Sequence, residues 1–313
     1  MFTAERLRGI LLPCTTPFAE SGLVDTRALG GNIARWNETG ISGYVILGST
    51  GERVHLDERE VLEVIDAARA SVPGHLAFVV GVGQHGTRQS IAEARRAAGA
   101  GADAVLVITP HFYRAAMTPA ALTDYYESIA EASPVPVVVY NIPQNTGLAV
   151  SPDVLARLSE HENIIGIKDS SGDMVNFVEM LRLASARFAV LTGHASLLYA
   201  ALSAGASGAI LAAGCVAPEL AVEIARLVER GEHESACARQ RRFTPLARAV
   251  TTRFGIGGLK YALDLAGYAG GEVRAPLTMP DDAARREIAR TLEECRPVVE
   301  TGDETQLAEG AVQ

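Results

Sequence analysis

Lys168 ends the apolar run IIGIK and is followed by Asp169, Ser170 and Ser171. An amine adds to a carbonyl only when unprotonated, and an exposed lysine titrates near roughly 10.4. Burial at the end of an apolar strand disfavours the ammonium and frees the amine for attack. Asp169 would oppose this if its side chain turned the same way. Tyr140 ends another apolar run, VPVVVY. Its hydroxyl both donates and accepts, which suits proton transfer between an amine, a carbinolamine and a substrate. A strand-end lysine reaching solvent and an aromatic of the core have the same pattern, so position alone leaves both accounts open.

Other polar clusters follow apolar runs. Gly48-Ser49-Thr50-Gly51-Glu52 has the glycines and hydroxyls of an anion cradle, and equally those of a tight strand-to-helix turn. Thr15-Thr16, Gly83-Gln84, Thr109-Pro110-His111 and Gly193-His194 occupy similar places. The stretch from Gly81 to Gly86 matches GxGxxG, yet Asp103 precedes the next strand instead of ending it, against a dinucleotide site. His85, His111 and His194 have neither ligand spacing nor clustered carboxylates, so no metal is expected. A hydrolase triad around Ser49 lacks its GxSxG.

Candidate strands at 9–14, 43–47, 77–82, 104–108, 136–140, 164–167, 188–191 and 208–211 are nearly continuous apolar runs. Strands buried on both faces have that composition, so the sheet is expected to be parallel. Helical periodicity fills the gaps, at 26–38, 58–71 and 87–100 for example, and Gly101 stops the last of these. Eight such units predict a TIM (β/α)8 barrel with its site at the C-terminal strand ends. Segments 218–230, 232–251, 258–265 and 281–295 look helical without an intervening strand. The expected organisation is a catalytic barrel at 1–215, a helical extension packed on it at 216–300, and a disordered tail at 301–313.

A net charge of −9, with no long basic stretch, argues against nucleic acid as a partner. No apolar run approaches the roughly 20 residues that span a bilayer, and the charged N-terminus lacks a signal-peptide core. Cys14, Cys215, Cys237 and Cys295 are scattered, without a CxxC pair, as expected of a cytoplasmic protein.

GSTGE at 48–52, YNIPQNTG at 140–147, GIKDSSGD at 166–173 and GVGQHGT at 81–87 resemble the signatures of the dihydrodipicolinate synthase/N-acetylneuraminate lyase superfamily. The resemblance implies a barrel, usually a homotetramer, that binds pyruvate as an imine on Lys168 and needs no other cofactor. It implies that Tyr140 donates and accepts protons, that Ser49 belongs to the relay, and that Thr50 grips the pyruvate carboxylate. It also places Gly193 and Ile210 beside the pyruvate pocket, with Ser170 among the substrate-binding residues. Two positions depart from the pattern. Synthases that take aspartate semialdehyde have Arg where this chain has Asn145, losing a guanidinium fork for the second carboxylate. Ungapped matching puts Phe112 where many have a relay tyrosine of the neighbouring subunit, and Tyr113 substitutes if the loop shifts by one.

The segments PHFYRAAMTPAAL and AVTTRFGIGGLKYALDLAGYAGGEVRAPL look most like the 4-hydroxy-2-oxoglutarate aldolase branch. The expected reaction is therefore cleavage of a 4-hydroxy-2-oxo acid to pyruvate and an aldehyde. The alternative within the family is 4-hydroxy-tetrahydrodipicolinate synthase, and outside it a non-catalytic 2-oxo-acid binding barrel. The partners implied are a small 2-oxo acid and an aldehyde.

Overall fold

Eight parallel strands close into a barrel in sequence order: β1 (Gly9–Pro13), β2 (Gly43–Ile46), β3 (Ala77–Val82), β4 (Ala104–Ile108), β5 (Val137–Asn141), β6 (Ile164–Asp169), β7 (Ala189–Thr192) and β8 (Gly208–Ile210). The computed structural model describes residues 2–295, so the tail expected at 301–313 lies outside the described residues. Side chains alternate between two cores. Leu11, Val45, Val79, Leu106, Val138, Leu191 and Ile210 fill the barrel interior. Leu12, Ile46, Val80, Val107, Val139, Val190 and Leu211 face the helices. Both faces are dry, which is why the strands read as unbroken apolar runs.

The helical layer comprises α1 (Thr26–Trp36), α2 (Glu58–Ser71), α3 (Thr87–Gly99), α4 (Pro119–Ala132), the single turn α5 (Pro143–Thr146), α6 (Pro152–Leu158), α7 (Met174–Leu183), α8 (Leu198–Ser203) and α9 (Pro218–Glu229). Several start at side-chain caps. Asp57 accepts from Glu60 N at 2.8 Å, while the Glu60 carboxylate accepts from Asp57 N at 3.0 Å, a reciprocal box opening α2. Closure needs glycine, because a Cβ at Gly208 would lie 2.8 Å from Gly9 N across the β1–β8 seam.

Beyond the barrel come α10 (His233–Arg248), α11 (Gly255–Leu265) and α12 (Asp282–Cys295). The helix expected at 232–251 ends at Arg248 and passes into a π turn, Ala249–Arg253. Gly255, at φ +56°, then turns the chain into α11 three residues before its expected start.

One irregularity decides what β6 presents. Val137 pairs with Ile164, but Val138 pairs with Gly166, leaving Ile165 as an extra residue. Ile165 faces the interior and Ile167 faces the helices, so the alternation changes phase between them. Beyond this point Tyr140 lies opposite Lys168. Gly166 fits because a Cβ there would meet Ala189 O at 2.7 Å. Gly166→Ala is therefore expected to destabilise the fold by about 1–3 kcal/mol through overpacking. Urea unfolding checks this, and an unchanged midpoint would mean that the bulge is loosely packed.

Candidate active site

Lys168 and Tyr140 are 4% exposed each at the C-terminal ends of neighbouring strands. The Lys168 Nζ sits 4.4 Å from the centroid of the Tyr140 ring. Asp169 takes the opposite face of β6. Its carboxylate accepts from Asn141 Nδ2 at 2.6 Å and from Ser171 Oγ at 2.7 Å. Burial pushes its carboxyl pKa up, against the pull of those hydrogen bonds. Lys168 has no ion pair among the described residues. The counter-charge that adjacency in sequence suggested is directed elsewhere.

Ser49 lies in the 3-10 turn Ser49–Gly51 after β2, with its Oγ 3.4 Å from Tyr140 Oη. Thr50, in the same turn, is buried. The turn ends at Glu52, a non-glycine residue in the left-handed region at φ 53°. Glu52 Oε1 pairs at 2.6 Å with Lys260 Nζ of α11, both side chains being essentially inaccessible. Its Oε2 accepts from Arg274 N at 3.1 Å. Burial pulls the Lys260 pKa down, opposed by the hydrogen bond and charge of Glu52. Arg274 in turn pairs with Glu60 of α2, Nη1 lying 2.7 Å from Oε2. These contacts tie the end of the Ser49 turn to the C-terminal segment. Neither Lys260 nor Glu52 was picked out as functional from sequence. The available signal was Lys260 itself, one of only two lysines in the chain.

The other expected residues gather unequally. A Cβ at Gly193 would lie 3.0 Å from Lys168 Cε and overlap Ser170 Oγ, so that glycine makes room for the lysine stem. Ile210 is buried in the barrel interior with Tyr140. Ser49, Tyr140 and Asn145 line a cavity of about 930 Å³ that continues between the loops after β2, β3 and β4. Lys168 packs on the Tyr140 ring and is not part of that cavity wall. Asn145 is exposed on α5, whose Gln144 Nε2 donates to Ser170 O at 2.8 Å and Ser171 O at 3.0 Å. Phe112 and Tyr113 are both 69% exposed and stack edge-on at 4.9 Å.

The GxGxxG match has a packing explanation. A Cβ at Gly81 would overlap Leu47 O, and one at Gly83 would lie 2.7 Å from Ile108 Cγ2. The glycines let β3 pass its neighbours. His85 and His111 stack at 4.6 Å, and burial, then the charge of His111, pushes the His85 pKa down.

A closed parallel barrel with a buried lysine and tyrosine side by side at its strand ends is a framework in which an amine and a hydroxyl can act together on a small molecule. The chain belongs to the dihydrodipicolinate synthetase family, whose pattern it matches over residues 6–295. It is 36% identical over 280 residues to the 4-hydroxy-tetrahydrodipicolinate synthase of Methanothrix thermoacetophila, covering 88% of this chain and 92% of that one. It is 35% identical over 282 residues to the enzyme of the same name from Hyphomonas neptunium, covering 90% and 95%. Among solved structures, dihydrodipicolinate synthase from Thermotoga maritima superposes with a TM-score of 0.87 at 28% identity, covering 92% of this chain and 98% of that one. No helix among the described residues is long and apolar enough to cross a membrane.

These relatives correct one expectation. Cleavage of a 4-hydroxy-2-oxo acid is set aside, because relatives 31–36% identical over most of the chain carry the synthase name. The aldolase expectation leaned on Asn145 and two loop-rich segments. Asn145 is one exposed residue on a surface turn, a lighter constraint than likeness along the whole barrel.

The network beneath the Ser49 turn should be visible in acid. The Arg274 hydrogen bond holds the Glu60 carboxyl pKa down at about 2, below the ordinary 4.5. A depressed carboxylate contributes stability that is present above the unfolded value and lost as pH falls through the folded one. Glu60→Gln should therefore cost about 1–3 kcal/mol at neutral pH. Its deficit against the parent should shrink between pH 4.5 and about 2, measured by urea unfolding across that range. A deficit independent of pH would mean that the ion pair contributes nothing.

Proposed function

We propose that this chain is a 4-hydroxy-tetrahydrodipicolinate synthase that joins pyruvate to aspartate semialdehyde through an imine on Lys168. The observation that carries the reading is its likeness to synthases over about nine-tenths of its length. The packing of Lys168 on Tyr140, with Ser49 at hydrogen-bonding distance from the tyrosine hydroxyl, supports it. The Lys168 amine adds to the C2 carbonyl of pyruvate and water leaves, giving the imine. Loss of a C3 proton yields an enamine, whose C3 bonds to the aldehyde carbon while the aldehyde oxygen takes a proton. The amino group of the second substrate then attacks the imine carbon, closes the ring and expels Lys168. Tyr140 and Ser49 move these protons. Thr50, Ser170, Gly193 and Ile210 border the pyruvate unit, and Asn145 lies toward the aldehyde. The covalent imine serves in place of a cofactor.

Asn145 brings no charge to the far carboxylate. In this reading Arg114 supplies it from the neighbouring loop, with its Nη1 2.6 Å from where a Cβ on Gly147 would be, two residues beyond Asn145. Arg114 is exposed and has no ion pair among the described residues. In this reading the protein is a cytoplasmic homotetramer, with Phe112 and Tyr113 offering apolar surface to a second copy.

Borohydride reduction with pyruvate should add one three-carbon unit, mapped to Lys168; an adduct on Lys260, or none, refutes the imine assignment. Tyr140→Phe should lower kcat by roughly 10²–10⁴, the usual worth of a positioned acid–base group. Turnover at the parent rate would move that role to another group. A coupled assay of pyruvate consumption with aspartate semialdehyde tests the reaction, and failure to consume pyruvate overturns it. Arg114→Ala should raise the KM for aspartate semialdehyde roughly tenfold to a hundredfold, the worth of a charge-assisted hydrogen bond, and leave that for pyruvate unchanged. Equal changes in both would place Arg114 outside carboxylate recognition.

A further inference from the structure

Every cation of this chain except two is an arginine, and both lysines are buried. Lys260 is fully inaccessible on α11. Its ammonium has four neighbours from three parts of the chain. It pairs with Glu52 at 2.6 Å, donates to Thr16 O at 2.8 Å and to Glu272 O at 2.5 Å, and lies 4.4 Å from the Phe18 ring centroid. The Arg274 guanidinium also packs on Phe18, at 4.2 Å. Thr16, whose carbonyl Lys260 holds, donates from Oγ1 to Gly51 O at 2.7 Å. The last two residues of the segment Ser49-Thr50-Gly51-Glu52 are thus gripped from below, one directly by Lys260 and one through Thr16.

A buried ion pair is a poor way to gain stability, since apolar residues of similar volume often serve the fold as well or better. What it does supply is a single arrangement, because neither charge tolerates losing the other. Here one arrangement is hard to hold by packing alone. Glu52 sits in a left-handed conformation that residues with a Cβ adopt only under constraint. Ser49 is three residues before it, with its hydroxyl 3.4 Å from Tyr140 Oη, a distance that a small shift of the turn would break.

We propose that Lys260 is a positioning residue of the active site, clamping Glu52 so that the Ser49–Thr50 turn keeps its register against Tyr140. The proposal rests on the reading that Ser49 and Tyr140 transfer protons. It assigns the C-terminal extension a part in turnover, exerted at a distance from the reacting atoms.

The test separates fewer working sites from slower ones. Active sites in the parent, Lys260→Met and Glu52→Gln are counted by borohydride trapping of pyruvate on Lys168, and kcat is expressed per trapped site. The expected result is a fall in kcat per trapped site of roughly tenfold to a hundredfold in Lys260→Met, and a smaller fall in Glu52→Gln. Glu52→Gln keeps the side-chain shape and gives the reading if Lys260→Met does not fold. Each variant is also combined with Ser49→Ala. If the clamp acts through the turn, the Ser49→Ala loss shrinks in the clamp variants, since the two changes remove one interaction. Fewer trapped sites at an unchanged kcat per site, or losses that simply multiply, would overturn the proposal and leave the ion pair a support of the fold. A parent protein that traps no pyruvate on Lys168 refutes the imine reading first, and this inference with it.

Discussion

The site depends on a single extra residue in one strand. In a closed barrel every side chain of a strand points either into the interior or out to the helices, and the choice at one position dictates the rest. Regular alternation from Ile165 would turn Lys168 outward among the helices and bring Asp169 inward. The bulge at Ile165-Gly166 reverses that choice for the last turns of β6 only. It places the amine beside Tyr140 and turns the carboxylate toward Asn141 and Ser171. The two adjacent side chains take opposite faces in either register, and the bulge decides that the lysine is the one turned inward.

The two lysines make the consequence plain. Both are buried, yet their surroundings differ in counter-charge. Lys260 is given a carboxylate, two carbonyls and an aromatic face, and the carboxylate opposes the downward pull of burial on its pKa. Lys168 is given an aromatic face and no carboxylate among the described residues. The same residue type thus stands in two different settings, through neighbours alone.

Much of this was legible in the amino-acid order. Apolar runs located all eight strands to within two residues at each end, because barrel strands are dry on both faces and leave a strong compositional trace. The strand-end places of Lys168, Tyr140 and Ser49 were legible because they end or follow those runs, while the roles expected of them came from the family resemblance. The bulge was not, since an extra apolar residue inside IIGIK looks like any other strand residue until its partner strand is known. The direction of Asp169 was hidden for the same reason. Lys260 and Glu52 belong to distant segments whose meeting is a property of the closed fold. A break after 251 was expected, but the π turn at Ala249–Arg253 was not, because helical periodicity persists through it.

The choice between two reactions on one scaffold turns on where each kind of information is stored. In the proposed reading, imine chemistry rests on strand ends, a bulge and close-approach glycines, all of which resist change because their neighbours are fixed. The same reading gives recognition of the second substrate to α5 and the loop after β4, where Asn145, Phe112, Tyr113 and Arg114 are exposed. Substitution there costs the fold little, so one position says little about which aldehyde is taken. A cation lost at one point of such a rim can be supplied from another, the part proposed for Arg114, whose guanidinium lies against Gly147. The missing arginine at Asn145 therefore argues for a rearranged grip on the substrate more strongly than for a different reaction.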